Sequence, residues 1–224
     1  MNKQDHLDEL ARIRGLMDRS TRFLSLSGLS GVIAGVAALV GAFAAREHHR
    51  ALLWSGSHMS DLYQNSFRFE GDRSFEQRWW DHVTFLMTDA AIVLVVALLG
   101  ALWFTWRRSK RTGQGLWDAS ARRMVVNLLL PLIAGGLFSL ALILNEAVQL
   151  VPSATLVFYG VALLNASKYT LDEIRWLGLS EMALGVVAAF WADAGLLFWA
   201  LGFGVLHIFY GGLMYLRHER GAEA

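Results

Sequence analysis

Residues 176–195, WLGLSEMALGVVAAFWADAG, are apolar enough to lie in lipid, yet Glu181 sits among them. A charge at bilayer depth costs roughly 2.5–3.5 kcal/mol on insertion scales, so a carboxyl group placed there faces a partner, a watery cavity or the inside of a helix bundle. The rest of the chain decides whether the bilayer is the right solvent. Over 224 residues, 55% are hydrophobic and 17% charged, the mean hydropathy is +0.39, and long uncharged runs recur throughout. That composition is too apolar for an ordinary soluble domain.

Working outward from Glu181, six runs have the length to cross a hydrocarbon core of ~30 Å at ~1.5 Å per helical residue. They lie at about 24–45, 82–106, 124–149, 151–168, 171–192 and 195–216. The expected fold class is all-α, a polytopic membrane helix bundle of six transmembrane helices filling residues 23–224. The first run follows a stretch of mixed charge and exceeds a signal-peptide core in length, so it reads as a retained span. Residues 46–81 form a long loop between spans one and two, rich in aromatic and charged residues, that is expected to fold over the helix ends. Spans three to six are joined by very short turns and are expected to form a tight up-and-down group. Thr170-Leu-Asp-Glu173 has the pattern of a capping box that opens span five.

Of the 20 Lys and Arg residues, fifteen fall in the N-terminal segment, the connectors 107–123 and 168–175, and the tail. The other five, Arg46, Arg50, Arg68, Arg73 and Arg78, lie in the 46–81 loop. The positive-inside rule then places both termini in the cytoplasm, an N-in/C-in topology that agrees with an even number of spans. Residues 1–22 read as a cytoplasmic amphipathic helix, with Leu7, Leu10, Ile13, Leu16 and Met17 on one face and Asp8/Arg12, Arg14/Asp18 and Asp18/Arg22 on the other. Its partner is either the membrane surface or the bundle itself.

Span one carries small residues at intervals of four, Ser27/Gly31/Gly35 among them, which let helix backbones approach closely in lipid. The span is either central to the packing or part of a pore or homo-oligomer contact. RSTRFLSLSGLSGVIAG (19–35), NASKYTLDEIRWLGLSEMALG (165–185) and FWALGFGVLHIFYG (198–211) together resemble a family of uncharacterised six-span bacterial inner-membrane proteins. The resemblance implies the bacterial inner (plasma) membrane and carries no activity with it.

Four ionisable residues fall within spans: Asp89, Glu146, Glu181 and His207. Spans five and six turn back on one another near 193–195, and Glu181 precedes Ala194 by as many residues as His207 follows it. The two are therefore expected at one depth, as a hydrogen-bonded or ion-paired couple that exchanges a proton. Asn165 and Lys168 on span four extend this ligand or proton site toward the cytoplasm, and Asp89 marks a further polar position on span two. A simple interhelical bond is the structural alternative at each of these positions.

With Cys absent, disulfides, thiol redox chemistry and Cys-ligated metals are excluded. No HExxH, Walker-type loop or GxSxG elbow occurs, so no catalytic residue is assigned, and no metal or cofactor is expected. His48, His49, His58 and His82 match no ligand spacing. The basic connector RRSKRTGQGLWDASARR (107–123) is explained by anionic lipid headgroups without a nucleic-acid partner. Three functions stay open: a small transport or ligand/proton-sensing protein built on Glu181/His207, a non-catalytic membrane scaffold or regulator, and a membrane-embedded lipid enzyme.

Overall fold

The computed structural model describes residues 23, 26–63, 73–113, 115 and 117–220; the side chains of 52–76, 78 and 112 are outside the description, as is the segment 1–22 expected to be amphipathic. The described residues are helical, with no strand among them. In chain order they form α1 (Gly28–Tyr63), α2 (Arg73–Thr112), α3 (Ala119–Leu144), α4 (Val151–Ala166) and α5 (Asp172–Phe190). A last helical run follows, made of α6 (Gly195–Trp199), a π-helical segment (Ala200–Leu206) and α7 (His207–His218).

Local chemistry sets several boundaries. Gly113, at φ +68°, ends α2 in the left-handed conformation that glycine adopts without a Cβ penalty. Asp118 caps α3 by accepting from the Ala121 amide at 2.7 Å. Pro152, in the first turn of α4, removes an amide that has no helical partner there. Glu146, with φ 59°, lies in the turn after α3 and so is not within a span.

Five runs are long and apolar enough to cross a membrane: Gly28–Ala51, Trp79–Arg111, Ala119–Leu144, Val148–Tyr169 and Ala192–His218. The sixth expected span, α5, has 19 residues but carries Asp172, Glu173, Arg175 and Glu181, so its composition does not meet the same standard. The expected 46–81 loop is helical over most of its described part, since α1 continues to Tyr63 and α2 begins at Arg73. At ~1.5 Å per residue, α1 and α2 are each over about 50 Å long and outreach a ~30 Å core.

The helices meet at glycines. α4 and α5 cross where a methyl added at Gly178 would stand 2.8 Å from Gly160 O, and Ser153 Oγ donates to Gly185 O at 2.6 Å. α1 lies on the last run: a methyl at Gly31 would be 3.2 Å from Gly211 Cα, and one at Gly35 would be 2.6 Å from Gly204 O. α2 packs on α1, with Gly41 against Val93 and Gly100 against Ile33, and α3 packs on α4 through Gly135 and Phe158. The order through the bundle is therefore α2, α1, last run, α5, α4, α3. The last run packs on α4 and α5 through Gly195 and Gly202, and also on α1 through Gly204 and Gly211, a contact outside the expected group of spans three to six. Leu163, Leu171, Ile174, Leu177 and Met214 form the buried apolar cluster where α4, α5 and α7 meet.

Outside these seams the surface is apolar. Val95, Leu99 and Leu102 of α2 and Leu130, Ile133 and Leu137 of α3 are all more than half exposed. No residue in the most apolar stretch of α2 is buried within the protein. An aqueous surface rarely carries apolar area on this scale, whereas a lipid-facing one does. The helices are compatible with an integral membrane protein.

At the end of the bundle rich in Lys and Arg, the start of α1 is fastened to the end of the last described run. Glu219 Oε1 accepts from the Gly28 amide at 2.6 Å and its Oε2 from Ser27 Oγ at 2.9 Å, so a carboxylate from the end of the chain caps the start of α1. Arg108 Nη1 joins Glu219 Oε1 at 3.2 Å and donates to Leu26 O at 2.6 Å. Ser27 is buried and its hydroxyl donates to Glu219, and the close backbone seam on α1 runs through Gly28, Gly31 and Gly35. Thr170 also acts differently from the expected capping box: its hydroxyl donates to Phe23 O at 2.9 Å, and α5 starts from Leu171 with no side-chain cap. Glu219→Ala is expected to lower the stability by about 1–2 kcal/mol, the usual cost of a lost N-cap. Thermal unfolding in detergent measures it, and an unchanged midpoint would mean that the clasp adds nothing.

Candidate functional site

Glu181 projects from the α5 face that also carries Gly178 and Gly185, three residues before it and four after, so the helix turns it toward α4 and the last run. It is 0% exposed. Gly202 makes room for it, because a methyl at that position would strike Glu181 Oε2 and Leu156 Cδ2. The carboxyl group therefore lies against backbone of the π-helical segment.

His207 closes the other side. Its Nδ1 is 3.2 Å from Glu181 Oε1 and 3.1 Å from Gly202 O, and its Nε2 is 2.9 Å from Tyr159 Oη. A carbonyl oxygen only accepts, so Nδ1 carries the hydrogen in the bond to Gly202. In the neutral ring Nε2 accepts from the Tyr159 hydroxyl. Because Nδ1–H is directed at Gly202, Glu181 has the distance of an ion pair with His207 but not the direction of a hydrogen bond. Both carboxyl oxygens are without a hydrogen-bond partner. Tyr159 and Phe203 flank the imidazole, with centroids at 5.4 Å and 5.9 Å, and Trp199 packs on Phe203 behind it.

This arrangement holds protons on three adjacent groups in a dry setting. A proton on His207 makes an ion pair with Glu181, and a proton on Glu181 leaves two neutral partners. Buried polar atoms are nearly always satisfied in a finished core, so a carboxyl group with neither oxygen bonded is an exception that calls for a role.

The remaining expected site residues lie elsewhere. Lys168 Nζ reaches Asn165 Oδ1 at 3.4 Å at the exposed end of α4, a contact between those two alone. Asp89 sits between α2 and α1, where a methyl on Gly41 would be 3.1 Å from its Oδ2. The geometry brings Glu181 and His207 together and adds Tyr159 and Gly202, two residues that sequence reasoning missed. Tyr159 lies in an unbroken apolar run, VFYGVALL, with no pattern to single it out. Gly202 carried a signal only in the glycine spacing of GFG.

A second cluster gathers His48, His49 and His82 near one end of the apolar spans Gly28–Ala51 and Trp79–Arg111, with His82 centroids 5.4 Å from His48 and 5.8 Å from His49. Among the described residues no group of three His, Cys, Asp or Glu side chains is arranged to hold a metal ion. No family model, curated protein or solved structure matches the chain.

Proposed function

We propose that this is a six-span protein of the bacterial inner membrane, with both termini cytoplasmic, that works as a small transport or proton- and ligand-sensing protein through Glu181 and His207. The observation that carries the reading is the fully buried Glu181 carboxyl group, unbonded at both oxygens and 3.2 Å from His207 Nδ1. A pair retained only to hold helices together gains most when every polar atom is satisfied. Six spans are supported by the length of α5, about 28 Å at ~1.5 Å per residue, with its acidic groups near one end or inside the bundle. The orientation rests on the Lys and Arg asymmetry, and that basic face is suited to anionic lipid headgroups. Span one remains a candidate homo-oligomer contact on faces that the glycine seam leaves open.

One observation favours the structural alternative, a scaffold whose polar core is fixed: Glu181 has no exposed surface at all. Infrared difference spectroscopy on lipid-reconstituted protein separates the two. From about pH 5 to 8, the interval in which imidazole exchanges protons, a carboxyl band is expected to change with pH in the wild type and to be missing in Glu181→Gln, with His207→Gln altering its course. A band that holds constant over the interval would leave the scaffold as the better account.

A further inference from the structure

The last run changes helix type at the site. Gly195 and Gly202 are seven residues apart and face α4 and α5, the first 3.2 Å (as an added methyl) from Pro152 Cγ and the second against Glu181. Gly204 and Gly211 are also seven apart and face α1, against Leu39 and against Gly28 O at 2.7 Å. Between the two seams the backbone is π-helical from Ala200 to Leu206. In an α-helix residues five apart point about 140° away from each other. With i to i+5 bonding they stand one above the other. His207 follows Gly202 by five residues and bonds its carbonyl oxygen at 3.1 Å, so the wide turn is what swings the imidazole onto the face that Gly202 shares with Glu181.

We infer that the proton carried by the Glu181–His207 pair sets the register of the last helical run, which is π-helical while the pair is closed and α-helical when it is discharged. The inference rests on the proton-site reading above. A π segment is poorer in hydrogen-bond geometry than the α-helix and persists where something compensates it. The compensation here is the His207 bond to Gly202 and the attraction of Glu181 for a protonated ring. Loss of that attraction removes the reason for the wide turn. α7 is held by the glycine seam with α1 and by the Glu219 clasp, so the shorter half, Gly195–Trp199 with Gly202, is the part that turns, by about 100° for one residue of register. The turn lifts Gly202 from the carboxyl group and uncovers it. Few other groups compete for control. α4 offers Tyr159 and α5 offers Ser180 bonded to Tyr210 of α7 at 3.3 Å, the two tyrosines being phenols, while α1 presents Gly31, Gly35 and Leu39.

The test is amide hydrogen–deuterium exchange of the 199–208 region in the full chain in bilayers, at pH values on either side of the infrared carboxyl transition. The expected result is a change of about tenfold or more in amide exchange of that region in the wild type, tracking the carboxyl band. Glu181→Gln should abolish the dependence, and deletion of Ala200, which takes away the residue that widens the turn, should hold one exchange rate at both pH values. Unchanged exchange while the carboxyl band titrates overturns the register inference and leaves the proton site standing. Unchanged exchange with a constant carboxyl band overturns both. A pH-dependent exchange without carboxyl titration also overturns the inference, because Glu181 would not be its cause.

Discussion

His207→Leu is expected to destabilise the protein by about 3–5 kcal/mol, the cost of removing one member of a buried charged pair and leaving the other uncompensated. Glu181 is wholly buried, and its nearest ionisable partner is the His207 ring at 3.2 Å. Leucine supplies no positive charge, so the carboxyl group must stay charged alone or bind a proton. The companion variant decides the cause. Glu181→Gln combined with His207→Leu is expected to be more stable than His207→Leu alone by about 1–2 kcal/mol, because the amide carries no charge to strand. Equilibrium unfolding in mixed micelles gives both values. Equal stability of the single and double variants would mean that His207 contributes packing and nothing electrostatic.

The second large effect concerns the seam between α1 and the last run. Gly35→Ala is expected to cost about 1–3 kcal/mol, since the added methyl would stand 2.6 Å from Gly204 O and 2.7 Å from Ile208 Cγ1, and a backbone carbonyl held in a helix does not give way as a flexible side chain does. Alanine is by itself the better helix former by about 1 kcal/mol, so any net loss is due to contact. Gly136→Ala is the matched control: it too lies inside a helix, nothing stands within 4 Å of its added methyl, and it should be neutral or slightly stabilising. If both changes moved stability alike, close packing at Gly35 would not be what joins the two helices.

The meeting of Glu181 and His207 was legible because equal counts on either side of a short turn put two residues of an antiparallel pair at one depth. The same count could not reveal Tyr159, which belongs to a third helix, or the π segment, whose register is set by two seams rather than by propensity. Gly31 and Gly35 were legible as small residues. The bond of Ser27 to Glu219 was not legible, because a four-residue interval cannot reveal a partner 192 residues away. The extension of α1 and α2 beyond the apolar runs was hidden by the mixed composition of 46–81, which helical structure tolerates in water as readily as a loop does. Thr170 fitted a local capping pattern, and a tertiary bond to Phe23 displaced it.

The fastening of Ser27 and Gly28 to Glu219 makes the first helix and the last residues of the described chain parts of one joint. During synthesis, at about 5–20 residues per second, roughly 10–35 s separate the appearance of Gly35 from that of Gly211. For that interval α1 has α2 as its companion and a glycine face with nothing to close it. The contact of α1 with the last helical run therefore forms late, after α2 to α5 have been made. Quality control that samples exposed glycine faces would find an unfinished chain easy to tell from a finished one.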